Sequence, residues 1–125
     1  MRVLLFGANG QLGSDITRLW KDEDIALTTA TRHDADVTDA AAVGALIESA
    51  RPDVVINTTA FHNLPVCEQD PEPCFRVNVI GGGNVARAAA AAGAAIVQFS
   101  TDYVFEGTKG SPYLEDDARR SVNVY

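Results

Sequence analysis

Three glycines, Gly7, Gly10 and Gly13, stand three residues apart in the stretch "GANGQLG". They follow the apolar run "VLLF" and precede "SDITRLW", whose apolar residues have helical spacing. In this context the first glycine permits a tight turn, the second lets backbone approach a pyrophosphate, and the third allows close packing of helix on strand. Amides at the helix start would face the anion. The spacing alone also fits a plain tight turn, so the surrounding chain must decide between the two interpretations.

The second apolar run ends in "TTATRHD", where a dinucleotide site would hold the adenosine ribose. A NAD site usually places Asp or Glu here to accept a hydrogen bond from the ribose 2′-hydroxyl. In this sequence no acid precedes Asp34, and Arg32 stands just past the run. Arginine can pair with a 2′-phosphate, which favours NADP(H) over NAD(H); the alternative is a solvated arginine at a loop. Asp36 and Val37 follow as an expected adenine contact, with Asp36 accepting a hydrogen bond from the amino group.

Four short apolar runs alternating with helical segments must position these residues. The runs are 2–7, 25–30, 53–59 and 94–100, and the helical segments are 10–22, 38–50 and 74–93. The runs lack alternation, which indicates strands covered on both faces, and Phe75, Val79 and Val85 are expected on the inner face of the third helix. The alternation predicts a three-layer α/β fold of the Rossmann type, a doubly wound parallel sheet truncated after about four strands in the order 3-2-1-4.

The same pattern predicts a single domain over residues 1–125. The segment after Ser100 has turn residues, charges and aromatics without a strong period. It is therefore expected to form a long loop at the carboxyl edge of the sheet, which is where open α/β sheets bind ligands.

Composition and charge exclude several classes of function. The chain has 125 residues, of which 46% are hydrophobic, enough for one buried core. Its formal net charge of −7 opposes non-specific binding to nucleic acid or an anionic membrane. No apolar stretch approaches the roughly 20 residues that span a bilayer, and the N-terminal run is too short for a secretory signal, so a cytoplasmic protein is expected. Cys67 and Cys74 lack a CxxC motif or a histidine cluster, and we expect free thiols and no metal site.

Seven segments carry a resemblance to a known family. They are "GANGQLG", "DADVTD", "RPDVVINTTAF", "FRVNVIGGGNVARAA", "FSTDYVFEG", "PYLEDD" and "NVY". In order and spacing they resemble the dTDP-4-dehydrorhamnose reductases, members of the extended short-chain dehydrogenase/reductase superfamily. The resemblance runs from residue 2 to residue 125, and its last three segments are more specific than the glycine turn. It implies NADPH-dependent reduction of a nucleotide-linked 4-keto-6-deoxy sugar in dTDP-rhamnose biosynthesis, with that nucleotide sugar as the substrate.

The resemblance also implies roles for individual residues. The expected cofactor-binding residues are Gly7, Gly10, Gln11, Leu12, Gly13, Arg32, Asp36, Val37, Thr59, Ala60, Phe61, Asn78 and Ser100. Thr101 and Tyr125 match the hydroxyl residue and the tyrosine of the family's catalytic set. Asp102 and Tyr103 match positions that hold the substrate near the nicotinamide.

The implied chemistry needs a hydride on the carbonyl carbon and a proton on its oxygen. A bound nicotinamide supplies the hydride, the Tyr125 phenol supplies the proton, and Thr101 orients the carbonyl. Free tyrosine titrates near about pH 10, so a neighbouring cation has to lower its pKa. The family's lysine would fall four residues after Tyr125. The resemblance therefore predicts that these residues are the amino-terminal part of a longer chain and are inactive alone.

The motifs up to residue 125 leave alternative functions open, and the sequence also departs from the family pattern at two places. Pro65 stands where the family usually has an aspartate, and the glycines at 81–83 replace a single glycine. One alternative is a non-catalytic NADP-binding regulatory subunit, similar to that of methionine adenosyltransferase. Another is a sibling nucleotide-sugar epimerase or dehydratase. These 125 residues are also expected to expose a sheet edge that later strands would cover, which would favour self-association as a homo-oligomer.

Overall fold

A computed structural model describes residues 1–20 and 24–125. The strands are β1 (Arg2–Phe6), β2 (Ala26–Ala30), β3 (Val54–Asn57) and β4 (Ala95–Gln98). The helices are α1 (Gln11–Leu19), α2 (Ala40–Ala50), α3 (Leu64–Gln69), α4 (Pro71–Cys74) and α5 (Gly82–Ala91), with a π-helix at Phe75–Gly81 and a 3₁₀ turn at Asp102–Val104. The predicted first helix extended to residue 22, and its end at Lys21 and Asp22 lies outside the described residues.

The four strands form one parallel sheet in the order β2-β1-β3-β4. The predicted order 3-2-1-4 is therefore wrong, because β3 pairs with β1, with Leu4 opposite Val55, and not with β2. The reason lies in the strands themselves: "VVIN" in β3 is more apolar than "ALTTA" in β2. The apolar strand takes the central position, where helices cover both of its faces, and the threonine-containing strand lies at the edge.

Helices on both faces of the sheet confirm the predicted fold class. On one face, Leu4, Phe6 and Val55 pack with residues of α2 and α5, such as Val43 and Val85. The other face has a second cluster of Val3, Leu5 and Ile56, packed against Ile16 of α1 and Trp20 directly after it. The first crossover, through α1, thus lies on one face and the later two, through α2 and α5, lie on the other, and the strand order reverses between β1 and β3. In a doubly wound sheet the crevice at such a reversal is where ligands bind.

The π-helix corrects the predicted inner face of the third helical segment. Phe75 and Val79 are 56% and 54% exposed, whereas Val85 is fully buried as expected. A π-helix has wider turns than an α-helix, so the face that meets the core shifts along the sequence. Cys74 and Gly81 occupy the buried positions instead.

The three consecutive glycines at 81–83 have different surroundings. A Cβ on Gly81 would lie 2.7 Å from Cγ2 of Val37, so close packing against the segment after β2 requires glycine there. A Cβ on Gly82 would come no nearer than 3.7 Å to Gln98, and one on Gly83 would lie 3.1 Å from the flexible end of Arg87. The structure explains the first glycine and gives no comparable reason for the other two.

The fourth strand lies at the second edge of the sheet and is exposed along its whole length. The prediction that every strand is covered on both faces is therefore wrong for β4, and also for the largely exposed β2. Ile96, Val97 and Phe99 leave apolar surface at the β4 edge. Such an edge supports the expected self-association, which stays a prediction. Within residues 1–20 and 24–125, no helix is long and apolar enough to cross a membrane.

Candidate functional site

The glycine turn brings β1 into α1 with a fixed backbone path. Gly7 has φ +81°, and a Cβ there would lie 2.6 Å from Oγ1 of Thr58. The amide of Gly10 donates to the Gly7 carbonyl over 2.9 Å, and a Cβ on Gly13 would lie only 2.1 Å from that same carbonyl oxygen. Gly7 therefore has a geometric reason in its positive φ and Gly13 in its contact with the turn, whereas a Cβ on Gly10 would meet only the Gly7 carbonyl oxygen, at 3.3 Å.

The amino end of α1 differs from those of the next three helices. Asp39, Asn63 and Asp70 each accept hydrogen bonds from amides at the start of their own helix. Gly10 begins α1 without a side-chain cap. The first amides of α1 are consequently left for an anion, and the helix dipole favours negative charge at the same point.

A cavity of about 540 Å³ lies over this helix end and the carboxyl ends of β1 and β3. Twelve of the predicted site residues line it: Gly7, Gly10, Gln11, Leu12, Arg32, Asp36, Val37, Thr59, Ala60, Phe61, Ser100 and Tyr125. Gly13 lies beneath the turn, and Asn78, Thr101, Asp102 and Tyr103 are not part of this lining. The structure thus brings most of the predicted cofactor residues to one cleft at the strand-order reversal.

Arg32 and Asp36 form an ion pair at one end of the cleft. The Arg32 Nε donates to Asp36 over 3.0 Å, and the arginine side chain is 84% exposed. The Thr38 amide and hydroxyl donate to the other carboxylate oxygen over 2.9 and 2.8 Å. These Thr38 bonds, followed by Arg32, hold the pKa of Asp36 below its ordinary value. Asp36 therefore stays ionised at neutral pH and orients a guanidinium whose terminal nitrogens face solvent at the cleft mouth.

Two residues that position the cleft were missed from the sequence. Asn57 is buried, accepts from the amide and hydroxyl of Thr59, and donates to Gln98 over 2.8 Å. The Thr58 hydroxyl donates to the Phe6 carbonyl, also over 2.8 Å. Both lie at the end of β3, where polar residues interrupt an apolar run. Polar residues that interrupt an apolar run at a strand end indicate such a positioning role, because a buried polar side chain needs a hydrogen-bond partner.

A second cavity of about 460 Å³ adjoins the first. The two share Thr59, Ala60, Phe99, Ser100 and Tyr125, while Asn78 and Thr101 line only the second. Of the predicted catalytic pair, Tyr125 thus lies where the cavities meet, and Thr101 lines the second cavity, next in the chain to the shared Ser100. Asp102 and Tyr103 line neither cavity, although the Tyr103 ring packs edge-on against Tyr125 with 6.4 Å between centroids.

The surroundings of Thr101 and Tyr125 define what each can do. Thr101 accepts from the amide of Tyr103 over 3.2 Å and so also caps the 3₁₀ turn. Burial raises the pKa of the Tyr125 phenol above its ordinary value, and Cys74, Cys67 and Asp102 raise it further. Tyr125 therefore keeps its proton at neutral pH, and this shift of its pKa is opposite to the lowering that the catalytic role is expected to need.

An open parallel sheet with helices on both faces and a cleft at its strand-order reversal defines an α/β domain of the Rossmann type. Residues 1–125 match the family described as RmlD substrate binding domain, and the chain belongs to that family.

Relatives with known names support this assignment. A dTDP-4-dehydrorhamnose reductase of Streptomyces griseus is 40% identical over 99% of this chain and 41% of its own length. A crystal structure of a Clostridium acetobutylicum dTDP-4-dehydrorhamnose reductase has a TM-score of 0.95 at 38% identity, covering 100% of this chain and 45% of that one. A crystal structure of the Bacillus anthracis dTDP-4-dehydrorhamnose reductase in complex with NADP has a TM-score of 0.95 at 31% identity. The match covers 99% of this chain and 44% of that one. The chain spans less than half the length of these relatives.

Proposed function

We propose that this chain forms the cofactor-binding part of an NADPH-dependent reductase of a nucleotide-linked 4-keto-6-deoxy sugar. The observation that carries the proposal is the uncapped amino end of α1, facing a cleft of about 540 Å³ at the strand-order reversal. That arrangement offers backbone amides and a helix dipole to a pyrophosphate. The names of the Streptomyces, Clostridium and Bacillus relatives support the substrate class.

The residues around the cleft fit a dinucleotide phosphate. Gly10, Gln11 and Leu12 would hold the pyrophosphate, since each lines the cleft at the start of α1. Asp36 and Val37 would lie against the adenine, and Arg32, fixed by its bond to Asp36, would pair with the 2′-phosphate. The NADP in the Bacillus anthracis relative supports the same preference.

The reacting ketone would lie where the two cavities meet. A bound nicotinamide supplies the hydride there. The protonated Tyr125 phenol would donate the proton to the carbonyl oxygen, and the Thr101 hydroxyl would hold that oxygen in place. Asp102 and Tyr103, next to this junction in the chain, would contact the sugar.

Replacing Arg32 with alanine tests which dinucleotide the cleft prefers. A charge-assisted bond to an exposed phosphate contributes about 1.4 kcal/mol, so Arg32→Ala is expected to weaken NADPH binding about tenfold and leave NADH binding unchanged. Arg18→Ala is the matched control, because Arg18 also pairs with an aspartate, Asp15, over 2.9 Å on the exposed side of α1. Calorimetric titration of the three proteins with both nucleotides gives the comparison.

Each result of that titration has a definite meaning. Tighter NADPH binding that only Arg32→Ala removes supports NADP(H) as the cofactor. Equal binding of NADPH and NADH by the unmodified chain would contradict the NADP preference and leave the dinucleotide site standing. Binding of neither would contradict the cofactor site itself.

The reductase activity is tested separately from cofactor binding. A protein carrying these 125 residues is mixed with NADPH and a dTDP-linked 4-keto-6-deoxy sugar, and both are quantified over time. Loss of the ketone in equal amount to NADPH supports the proposed reaction. If the longest protein that contains these 125 residues consumes neither the ketone nor NADPH, the proposed reaction is contradicted.

A further inference from the structure

The side-chain amide of Asn78 pairs with both backbone groups of Phe61. The Phe61 amide donates to Asn78 Oδ1 over 2.8 Å, and Asn78 Nδ2 donates to the Phe61 carbonyl over 3.0 Å. Asn78 lies in the π-helix, 17 residues further along the chain, whereas Phe61 lies in the loop after β3 and lines the first cavity. One side chain thus holds this loop as a neighbouring strand would.

The Phe61 carbonyl has further partners on its inner side. The thiols of Cys67 and Cys74, both buried, lie 3.9 and 3.8 Å from its oxygen. Asn78 Nδ2 also lies 3.2 Å from the Cys74 sulfur. Burial raises the pKa of Cys67 to about 11, so its thiol stays protonated and can donate weakly. The carbonyl therefore points into the protein, and the opposite side of the loop forms the cleft wall.

We propose that Asn78 is a positioning residue of the cofactor cleft, which acts by fixing the Phe61 backbone rather than by touching the cofactor. Both ends of its amide are already engaged with the Phe61 backbone, and it lines the second cavity but not the first, over which the glycine turn lies. The π-helix has a clear part in this arrangement: its wide turns direct Asn78 inward beside Cys74 while Phe75 and Val79 remain exposed. The inference rests on the proposed cofactor site.

Asn78→Asp tests the role through pH. An ionised carboxylate keeps the acceptor for the Phe61 amide but sets a negative charge against the Phe61 carbonyl, whereas a protonated carboxyl donates and accepts as the amide does. We expect NADP⁺ affinity to fall about tenfold above neutral pH and to recover as the introduced carboxyl is protonated, at a pH raised by its partly buried surroundings. Thermal unfolding of each variant is measured alongside.

Asn63→Asp is the matched control, because it makes the same chemical change close to the same loop. Asn63 caps α3 by accepting from the Val66 amide, and aspartate caps a helix equally well. The thiols of Cys67 and Cys74 and the Tyr125 phenol face the Asn78 region, and burial raises the pKa values of Cys67 and Tyr125. Glu68, beside Cys67, and His62, beside Phe61, are present in both variants and in the unmodified chain, so any effect of theirs is common to all three.

A second measurement needs no variant and no cofactor. Hydrogen exchange of the Phe61 amide is expected to be as slow as that of strand amides, although Phe61 lies in a loop. Fast exchange there would overturn the proposal. The proposal would also be overturned if Asn78→Asp bound NADP⁺ as tightly as Asn63→Asp at every pH. It would be overturned as well if a folded Asn78→Asp protein bound NADP⁺ weakly and its affinity did not recover at acid pH. Failure of the unmodified chain to bind NADP⁺ would instead count against the proposed function.

Discussion

Gly13→Ala is expected to destabilise the protein by about 3 kcal/mol, the upper end for over-packing, and to abolish measurable NADPH binding. The added Cβ would lie 2.1 Å from the Gly7 oxygen and 2.8 Å from both the Gly7 carbonyl carbon and the Ala8 Cα. All three neighbours are backbone atoms, so no side chain can move aside. The start of α1 must then shift away from the glycine turn, and its amides leave the cleft.

Gly44→Ala is the control for that change. It is the same substitution inside another helix, α2, at a position where an added Cβ meets nothing within 4 Å. Helix propensity then favours alanine, and a gain of up to about 1 kcal/mol is expected. Urea denaturation followed by circular dichroism measures both variants. Equal stability of the two would contradict the tight contact between Gly13 and the turn.

Tyr125→Phe is expected to lower the rate of ketone reduction by about 10²–10⁴-fold while leaving NADPH affinity nearly unchanged. The substitution removes the proton donor and keeps the ring that lies at the junction of the two cavities. The rate is measured by nicotinamide absorbance in a protein that carries this chain, with a dTDP-linked 4-keto-6-deoxy sugar as substrate.

Tyr113→Phe serves as the control because it removes a phenol oxygen from the same terminal segment. That oxygen is buried without a hydrogen-bond partner among the described residues, and the ring stacks on Phe105 at 4.2 Å. Its loss is expected to leave the rate unchanged. A Tyr125→Phe protein as fast as Tyr113→Phe would show that Tyr125 is not the proton donor.

The parts of the fold set by local pattern were predictable from the sequence. Four apolar runs separated by helical segments gave the α/β class, and the glycine spacing gave the turn from β1 into α1. The alternation of strands and helices did not predict the strand order, because the order depends on which strands can be covered on both faces. The polar Thr28 and Thr29 of β2, compared with Val55 and Ile56 of β3, carried that information.

The candidate site was predictable where backbone geometry restricts residue type, as at Gly7 and Gly13. It was not predictable where side chains act on other parts of the protein. Asn78 is predicted to bind the cofactor, which stays a prediction, whereas the two bonds of its amide to Phe61 depend on a tertiary contact that the local pattern does not show. The supporting role of Asn57 depends on a contact across the sheet to Gln98, 41 residues away.

The position of the dinucleotide is the central claim, and amide NMR spectra recorded during an NADP⁺ titration test it most directly. The largest shifts are predicted at residues 7–13, with further shifts at 31–37 and 58–61, because these segments line the cleft. Amides at the opposite end of the sheet, such as those of Asp53 and Gly93, should stay unchanged. Saturable binding that shifts Gly82 and Gly83 in the second cavity, and leaves 7–13 unmoved, would contradict the account.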